Sequence, residues 1–377
     1  MRILIVKLSS LGDVVHALPV VADIHAAHPQ ATIDWVVEPG FASLLSRVRG
    51  IAEVIELPLR RWSRSGWLGA ATRGEMLAFV RRLRRERYDA VLDLQGLTKS
   101  ALVSLLARGP SYGLANRTDG ASHEWPARWL ATHAIRVEPH SHALDRSREL
   151  VARALGTLAS GPPAFGLAAA APAAPDPERI VFIHGTSRAD KFWPETSWIE
   201  LGRRLIASGR RIALPRADAE EEARARRIAG ALGEGAEVWP AMDLGPFIDR
   251  LAATGGAIGV DSGPSHIAVA LDLPHVQIYN HPTAWRTGRD DVAVATDAFA
   301  DGGRIEWLGA AAPQHTQEIE RQSDPQQQRV RGPGRAPAET VHRPTCTPAA
   351  ATRAPCTCCH AAQTASTSGV GRASIET

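Results

Sequence analysis

The sequence predicts an α/β protein of two Rossmann-like, doubly wound domains facing a central cleft, and three observations predict it. Short apolar runs suited to buried parallel strands alternate with longer stretches of helical periodicity. The alternation is interrupted once, by the Pro-, Ala- and Gly-rich stretch at residues 158–177. Beyond it the strand–turn–helix pattern starts again. The expected organisation is an N-terminal domain over 1–157, a linker over 158–178, a C-terminal domain over 179–300, either complete or truncated, and a low-complexity, disordered tail over 301–377.

The first strand is expected over 3–7. Ile3, Leu4, Ile5 and Val6 form an unbroken apolar run, as in a strand covered on both faces. Ser9, Ser10 and Gly12 then mark a tight turn, and a helix starts near Asp13. Strands follow over 32–37, 54–57 and 90–94. Helices are expected over 41–48, 68–87 and 97–107, the second burying Met76, Leu77, Val80 and Leu83. In the second domain strands are expected over 180–184, 211–214, 256–260 and 275–279. Helices are expected over 195–207 and 219–232, the latter opened by glutamates that suit the positive end of its dipole. Periodicity fades from about 281. Residues 314–377 lack the apolar content to offset the entropy of ordering.

The 377 residues suffice for two domains of ordinary size. A formal charge of +3 is nearly balanced and argues neither for nor against nucleic acid. No apolar run approaches about 18 residues, and Lys7 interrupts the one at the N-terminus, so neither a membrane span nor a signal peptide is expected. The four cysteines lie at 346–359, which leaves residues 1–345 without a thiol nucleophile or disulfide. The CTCCH at 356–360 matches no standard spacing of zinc ligands. Lysine is rarer still: Lys7, Lys99 and Lys191 stand alone among many arginines. An ammonium is a compact point charge and a guanidinium a broad fork, so each lysine is a candidate site residue.

Four stretches point to chemistry. Asp13 lies at the carboxyl edge of the first strand, where open α/β sheets bind ligands. It reads either as a helix N-cap or as a general base facing the cleft. In GVDSGPSH, residues 259–266, a strand runs into a turn and a helix opened by Pro264 and Ser265. Such a helix start offers free N–H groups to a diphosphate, though an ordinary turn with a serine cap has the same spacing. In HGTSRADKFWP, residues 184–194, Thr186, Ser187 and Lys191 offer donors to phosphate at the same sheet edge. One of Glu220, Glu221 and Glu222 could accept from ribose hydroxyls. Arg60, Arg61 and Arg64 fall in a loop placed to meet an acidic substrate, whereas RRLRRER over 81–87 reads as a solvated helix face. No GxGxxG is present, so a dinucleotide fingerprint is not supported.

Taken together, VKLSSLGDVVHALP, RRW, DLQGLTKS, DKFWP and VDSGPSH resemble the bacterial lipopolysaccharide heptosyltransferases over roughly residues 1–285. The Ser9-Ser10 pair resembles the type I branch. The resemblance implies a glycosyltransferase B fold and an inverting, metal-independent enzyme with no cofactor. Its donor would be ADP-L-glycero-β-D-manno-heptose, and its acceptor the Kdo of Kdo2-lipid A. It implies Asp13 as catalytic base. It implies Thr186, Ser187, Lys191, Glu221 (or a neighbouring glutamate), Asp261, Ser262, Gly263 and His266 at the donor, and Ser10, Gly12, Arg60 and Arg61 at the acceptor. A monomer on the cytoplasmic face of the inner membrane, with no nucleic-acid partner, is the implied setting. Two departures stand against the pattern. Arg216-Ala217 follow Leu214-Pro215 where the family usually has Trp-Gly, and the family's last, crossing helix is not found after about residue 300. The alternatives are an inactive or truncated relative that only binds, or another nucleotide-sugar transferase of the same fold.

Overall fold

A computed structural model of the chain describes residues 1–66, 69–159, 161–171, 174–279, 284–288 and 293–296. The tail expected over 301–377, with its cysteines, lies outside the described residues. The N-terminal half runs β1 (Arg2–Val6), α1 (Leu11–Ala17), α2 (Pro19–Ala27), β2 (Thr32–Val37), α3 (Ala42–Leu45), β3 (Ile51–Glu56), α4 (Leu59–Ser65), α5 (Ala70–Leu83), β4 (Ala90–Asp93), α6 (Thr98–Leu106), β5 (Ser111–Leu114), α7 (Trp125–Leu130), β6 (His133–Ile135) and α8 (Ala143–Leu155). The C-terminal half runs β7 (Asp176–Ile183), α9 (Glu195–Ala207), β8 (Arg211–Leu214), α10 (Ala219–Leu232), β9 (Ala236–Val238), α11 (Leu244–Ala252), β10 (Thr254–Val260), α12 (Gly263–Ala270), β11 (His275–Tyr279), α13 (Ala284–Thr287) and β12 (Ala293–Thr296).

Among the described residues each half builds one parallel six-stranded sheet, ordered β3-β2-β1-β4-β5-β6 and β12-β11-β10-β7-β8-β9. Read from its other edge, the second order repeats the first. Each sheet therefore reverses winding once, between β1 and β4 and between β7 and β10. Helices leave opposite faces there and open a crevice at the carboxyl edge. The turns after β1, β4, β7 and β10 all lie at these two crevices.

Burial explains the strands. Ile3, Leu4, Ile5 and Val6 are fully buried, and each such side chain stabilises by roughly 1.5–3 kcal/mol. Trp35 on β2 is buried beside them and donates its indole N–H to the Lys7 carbonyl at 3.1 Å. One apolar cluster joins the halves, running from Ile3, Ile5, Val14 and Leu18 to Ile183, Trp239, Ile248 and Ile267.

Several elements depart from the sequence reading. Helix α1 starts at Leu11 because Ser10 is its N-cap, and Asp13 is the third helical residue that completes the capping box. The arginines expected in a loop lie instead on α4, where Trp62 is the buried residue and Arg60, Arg61 and Arg64 are exposed. One buried side chain in seven residues leaves no periodicity to read. On α5, Leu77 is exposed while Thr72, Phe79 and Leu83 are buried, a stripe offset from the expected one. Strand β7 begins at Asp176, four residues before the expected start. Asp176 pairs in register with Thr254 and accepts from Arg179 and Arg211.

The halves meet where α1 touches α12. A Cβ added at Gly263 would lie 2.8 Å from the Leu11 side chain, and one at Gly12 would lie 3.0 Å from His266 Cδ2. Gly263→Ala is expected to cost about 1–3 kcal/mol by overpacking this contact. Gly74→Ala on exposed α5, where nothing stands within 4 Å, is expected to stabilise by up to ~1 kcal/mol. Urea denaturation of both variants checks the pair, and equal effects would remove the seam as a tight contact.

Candidate functional site

The turn after β1 is assembled by side chains of which Asp93 and Ser100 are buried and Gln95 is half-buried. Asp93, at the end of β4, accepts from the backbone N–H groups of Gln95 (2.9 Å) and Gly96 (3.2 Å) and from Ser100 Oγ (3.0 Å). The turn held this way presents Gln95 Oε1 to the N–H groups of Leu8 and Ser9, at 3.1 and 3.2 Å. DLQGLTKS is thus the brace of KLSSLGD. Burial pushes the Asp93 carboxyl up to about 6, against its three donors and Lys7.

Asp13 receives two hydrogen bonds on Oδ2, from Ser10 N (3.1 Å) and Ser10 Oγ (2.8 Å). Its Oδ1 takes none among the described residues. Burial acts to raise the Asp13 carboxyl, but Lys7 and the two Ser10 donors outweigh it and hold the group below the usual carboxylate range. Lys7 is itself buried, which lowers its affinity for a proton, and it donates Nζ to the Leu94 carbonyl at 3.0 Å. A second buried cation, Arg146 on α8, also feels Asp13 and donates to Thr118 Oγ1 at 3.2 Å. Asp13 is therefore an ionised carboxylate with one oxygen uncommitted and cations on its protein side. Neither reading of the sequence is complete: the cap is Ser10, and Asp13 serves that cap with one oxygen only.

Across the seam, Ser262 caps α12 with Pro264 in the first turn, so the helix starts with free N–H groups. Ser265 Oγ donates to the Val260 carbonyl at 2.6 Å and fixes the turn. Asp261 is held by Lys191 Nζ at 2.6 Å, His266 Nε2 at 3.2 Å and Thr287 Oγ1 at 3.3 Å. Burial raises the Asp261 carboxyl, and His266 and Lys191 pull it well below the ordinary range. An unpaired carboxylate at an anion-binding turn would repel phosphate. Lys191 removes that obstacle by pairing with one oxygen, while His266 and Thr287 engage the other.

The remaining expected residues divide. Thr186 is half-buried and Ser187 exposed in the turn after β7. Of the three glutamates, only Glu221 meets that turn: a Cβ on Gly185 would collide with its carboxylate, which accepts from Ala217 N at 2.7 Å. Glu222 is occupied by Arg216 and Arg226, at 2.8 and 2.5 Å, and Glu220 is largely exposed. Arg60 and Arg64 line an open pocket of about 610 Å³ with Glu38, Pro58 and Ser65. Arg61 lines it too, but its guanidinium forms a bidentate pair with Glu75 at 3.1 and 2.7 Å.

Three histidines join the halves between Asp13 and Asp261. The His16 and His266 rings lie 4.2 Å apart, and His16 and His142 lie 5.8 Å apart. Burial, with His266 and His142 nearby, keeps His16 neutral. His142 Nδ1 accepts from Leu144 N at 3.1 Å, so its Nε2 carries the proton donated to the Gly288 carbonyl at 2.7 Å. The sequence reading missed His16, His142, Arg146, Asp93 and Gln95. DLQG was visible as a motif, but its partners are more than 80 residues away in the chain. Among the described residues no group of three or more His, Cys, Asp or Glu side chains is arranged to hold a metal ion.

Comparison with known proteins gives a consistent result. The profile of glycosyltransferase family 9 (heptosyltransferase) matches residues 76–301. Lipopolysaccharide heptosyltransferase 1 of Escherichia coli is 41% identical over 286 residues, covering 74% of this chain and 88% of that protein. The structure of E. coli heptosyltransferase WaaC with ADP superposes with a TM-score of 0.72 at 36% identity, over 82% of this chain and 96% of that one. WaaC with ADP-2-deoxy-2-fluoro heptose gives 0.69 at 37% identity, over 78% and 93%.

The Asp93 brace carries a pH signature. Its folded pKa, about 6, lies above the unfolded value near 3.9, so its favourable share is complete below about pH 4 and is lost as pH rises through 6. Asp93→Asn keeps an oxygen for the 95–96 turn and cannot ionise. Relative to the native chain it is expected to gain about 2–3 kcal/mol between pH 4 and pH 7. Urea denaturation across that range reads the difference, and a flat line would show that Asp93 is not held protonated.

Proposed function

The chain belongs to glycosyltransferase family 9 (heptosyltransferase), and from that premise we propose that it moves L-glycero-D-manno-heptose from ADP-heptose to the Kdo of Kdo2-lipid A. The chain transfers heptose in lipopolysaccharide core biosynthesis. The observation that carries it is Asp13 Oδ1, an uncommitted oxygen on an ionised carboxylate, placed across the α1–α12 contact from an anion-binding helix start.

Asp13 Oδ1 accepts the hydrogen bond of the acceptor hydroxyl and takes its proton as the oxygen bonds to the anomeric carbon. The bond from that carbon to the ADP oxygen breaks, and ADP leaves as an anion. A carboxylate held this low is a weak base for a free alcohol. It suffices when the proton moves late, because the hydroxyl turns acidic only as its new bond forms. One base and no second catalytic carboxylate suits inversion, whereas retention with a carboxylate nucleophile uses a pair about 5–5.5 Å apart. The start of α12, Thr186, Ser187 and Lys191 stabilise the departing diphosphate, with Lys191 keeping its pair with Asp261 and turning its remaining N–H groups to phosphate. Glu221 is the glutamate set for the ribose. Arg60 and Arg64 receive the acidic acceptor, and Arg61 joins them only by leaving Glu75.

Full-length protein incubated with ADP-heptose and Kdo2-lipid A is expected to add one heptose to the lipid, read by mass spectrometry. Asp13→Asn is expected to lower kcat by about 10²–10⁴-fold while ADP-heptose binding, measured by calorimetry, stays near native. Near-native turnover in that variant would remove Asp13 from the base role. For the ribose contact, Glu221→Ala is expected to weaken ADP binding by about tenfold and Glu222→Ala hardly at all. The reverse order would reassign it.

A further inference from the structure

Helices α6 and α7 carry a surface that the transfer reaction does not use. Among the described residues nine large apolar side chains are exposed, and five of them, Leu102, Leu105, Leu106, Trp125 and Trp129, stand on these two helices. The helices pack against each other. Trp125 and Trp129 are 65% and 71% exposed with ring centroids 5.7 Å apart, and Leu102 and Leu105 are 47% and 56% exposed. Exposed apolar side chains gathered this way mark a contact surface.

Charge and position say what covers it. Lys99 opens α6, Arg108 follows its end, and Arg128 lies between the two tryptophans; all three are exposed. The local acid, Glu124, is engaged in accepting from the Thr98 backbone N–H at 2.8 Å. The Lys99 charge also acts on Glu38, which lines the basic pocket with Arg60 and Arg64. The start of α6 thus lies within electrostatic reach of the pocket proposed to receive the acidic acceptor. Indole rings with an apolar body and one N–H, flanked by cations, suit the headgroup level of an anionic bilayer.

We propose that the α6–α7 face docks peripherally on an anionic lipid bilayer, with Trp125 and Trp129 at headgroup level and the leucines against the acyl boundary. The inference rests on the reading that the acceptor is a lipid, because a docked face holds the Arg60 pocket in the plane where such a lipid presents its sugar. No described helix is long and apolar enough to cross a membrane, so this face supplies attachment that a spanning segment among them does not.

Flotation of the full chain with vesicles tests it. The native protein is expected to float with phosphatidylcholine–phosphatidylglycerol vesicles and far less with phosphatidylcholine alone. The double variant Trp125→Ser, Trp129→Ser is expected to partition about tenfold more weakly or worse, and Arg128→Gln to lose binding to the anionic vesicles only. Both variants are expected to melt as the native chain does and to turn over a water-soluble, acyl-free Kdo acceptor at the native rate. Native-like flotation of the double variant would overturn the proposal, and so would a native chain that binds neither vesicle. A native dimer that becomes monomeric in the double variant would also overturn it, by assigning the face to a second copy. Vesicle binding that depends on the tryptophans, without heptose transfer, would sink the transferase reading and leave the docking surface standing.

Discussion

The contact between α1 and α12 is the constraint on which the remainder depends. Gly12 and Gly263 have no side chain, and each leaves room for a neighbour from the other half, His266 over Gly12 and Leu11 over Gly263. The His16 ring packs on His266 behind them. Both helices follow the strand at which their sheet reverses winding. Pressing them together sets two crevices face to face, so that the Asp13 carboxylate on one sheet edge meets the open helix start of α12 on the other. The apolar cluster that runs through both halves keeps them in that relation.

Inside this frame stand two pairs of lysine and carboxylate, one in each half, each with one buried and one half-buried member. Their outcomes differ because their hydrogen bonds differ. Asp13 shares one oxygen with Ser10 and feels Lys7 without binding it, which leaves its other oxygen uncommitted. Asp261 gives both oxygens to protein donors. In surroundings of low dielectric these partners decide how each carboxylate's charge is balanced. Asp93 acts at one remove, since it holds Gln95, and Gln95 holds the turn that carries Asp13.

The strands at 32–37, 211–214 and 275–279 and the helices at 195–207 and 219–232 stand at their expected bounds, because long or strongly patterned segments carry their period in the chain itself. Short edge strands such as β6 and β9 were not legible. Three residues make no period, and their place is decided by the neighbour they pair with. The α4 arginines were legible as chemistry and illegible as structure, since Trp62 and a half-buried Leu59 are too few anchors to show a period.

By itself the sequence determined the α/β class, the two donor-rich turns after strands, the carboxylate at residue 13 and the scarcity of lysine. These properties reside in neighbouring residues. Only the tertiary structure decided that Glu221 rather than Glu222 meets the turn after β7, that Arg61 is committed to Glu75, and that Lys191 rests on Asp261. It also decided that Arg146 on α8 and His142 at its N-cap, more than a hundred residues beyond Asp13, come close to α1. The physical reason is common to all of them. A side chain's charge and free hydrogen-bonding capacity are set by its partners in space, and those partners come from whichever segments the packing of two sheets brings to one edge.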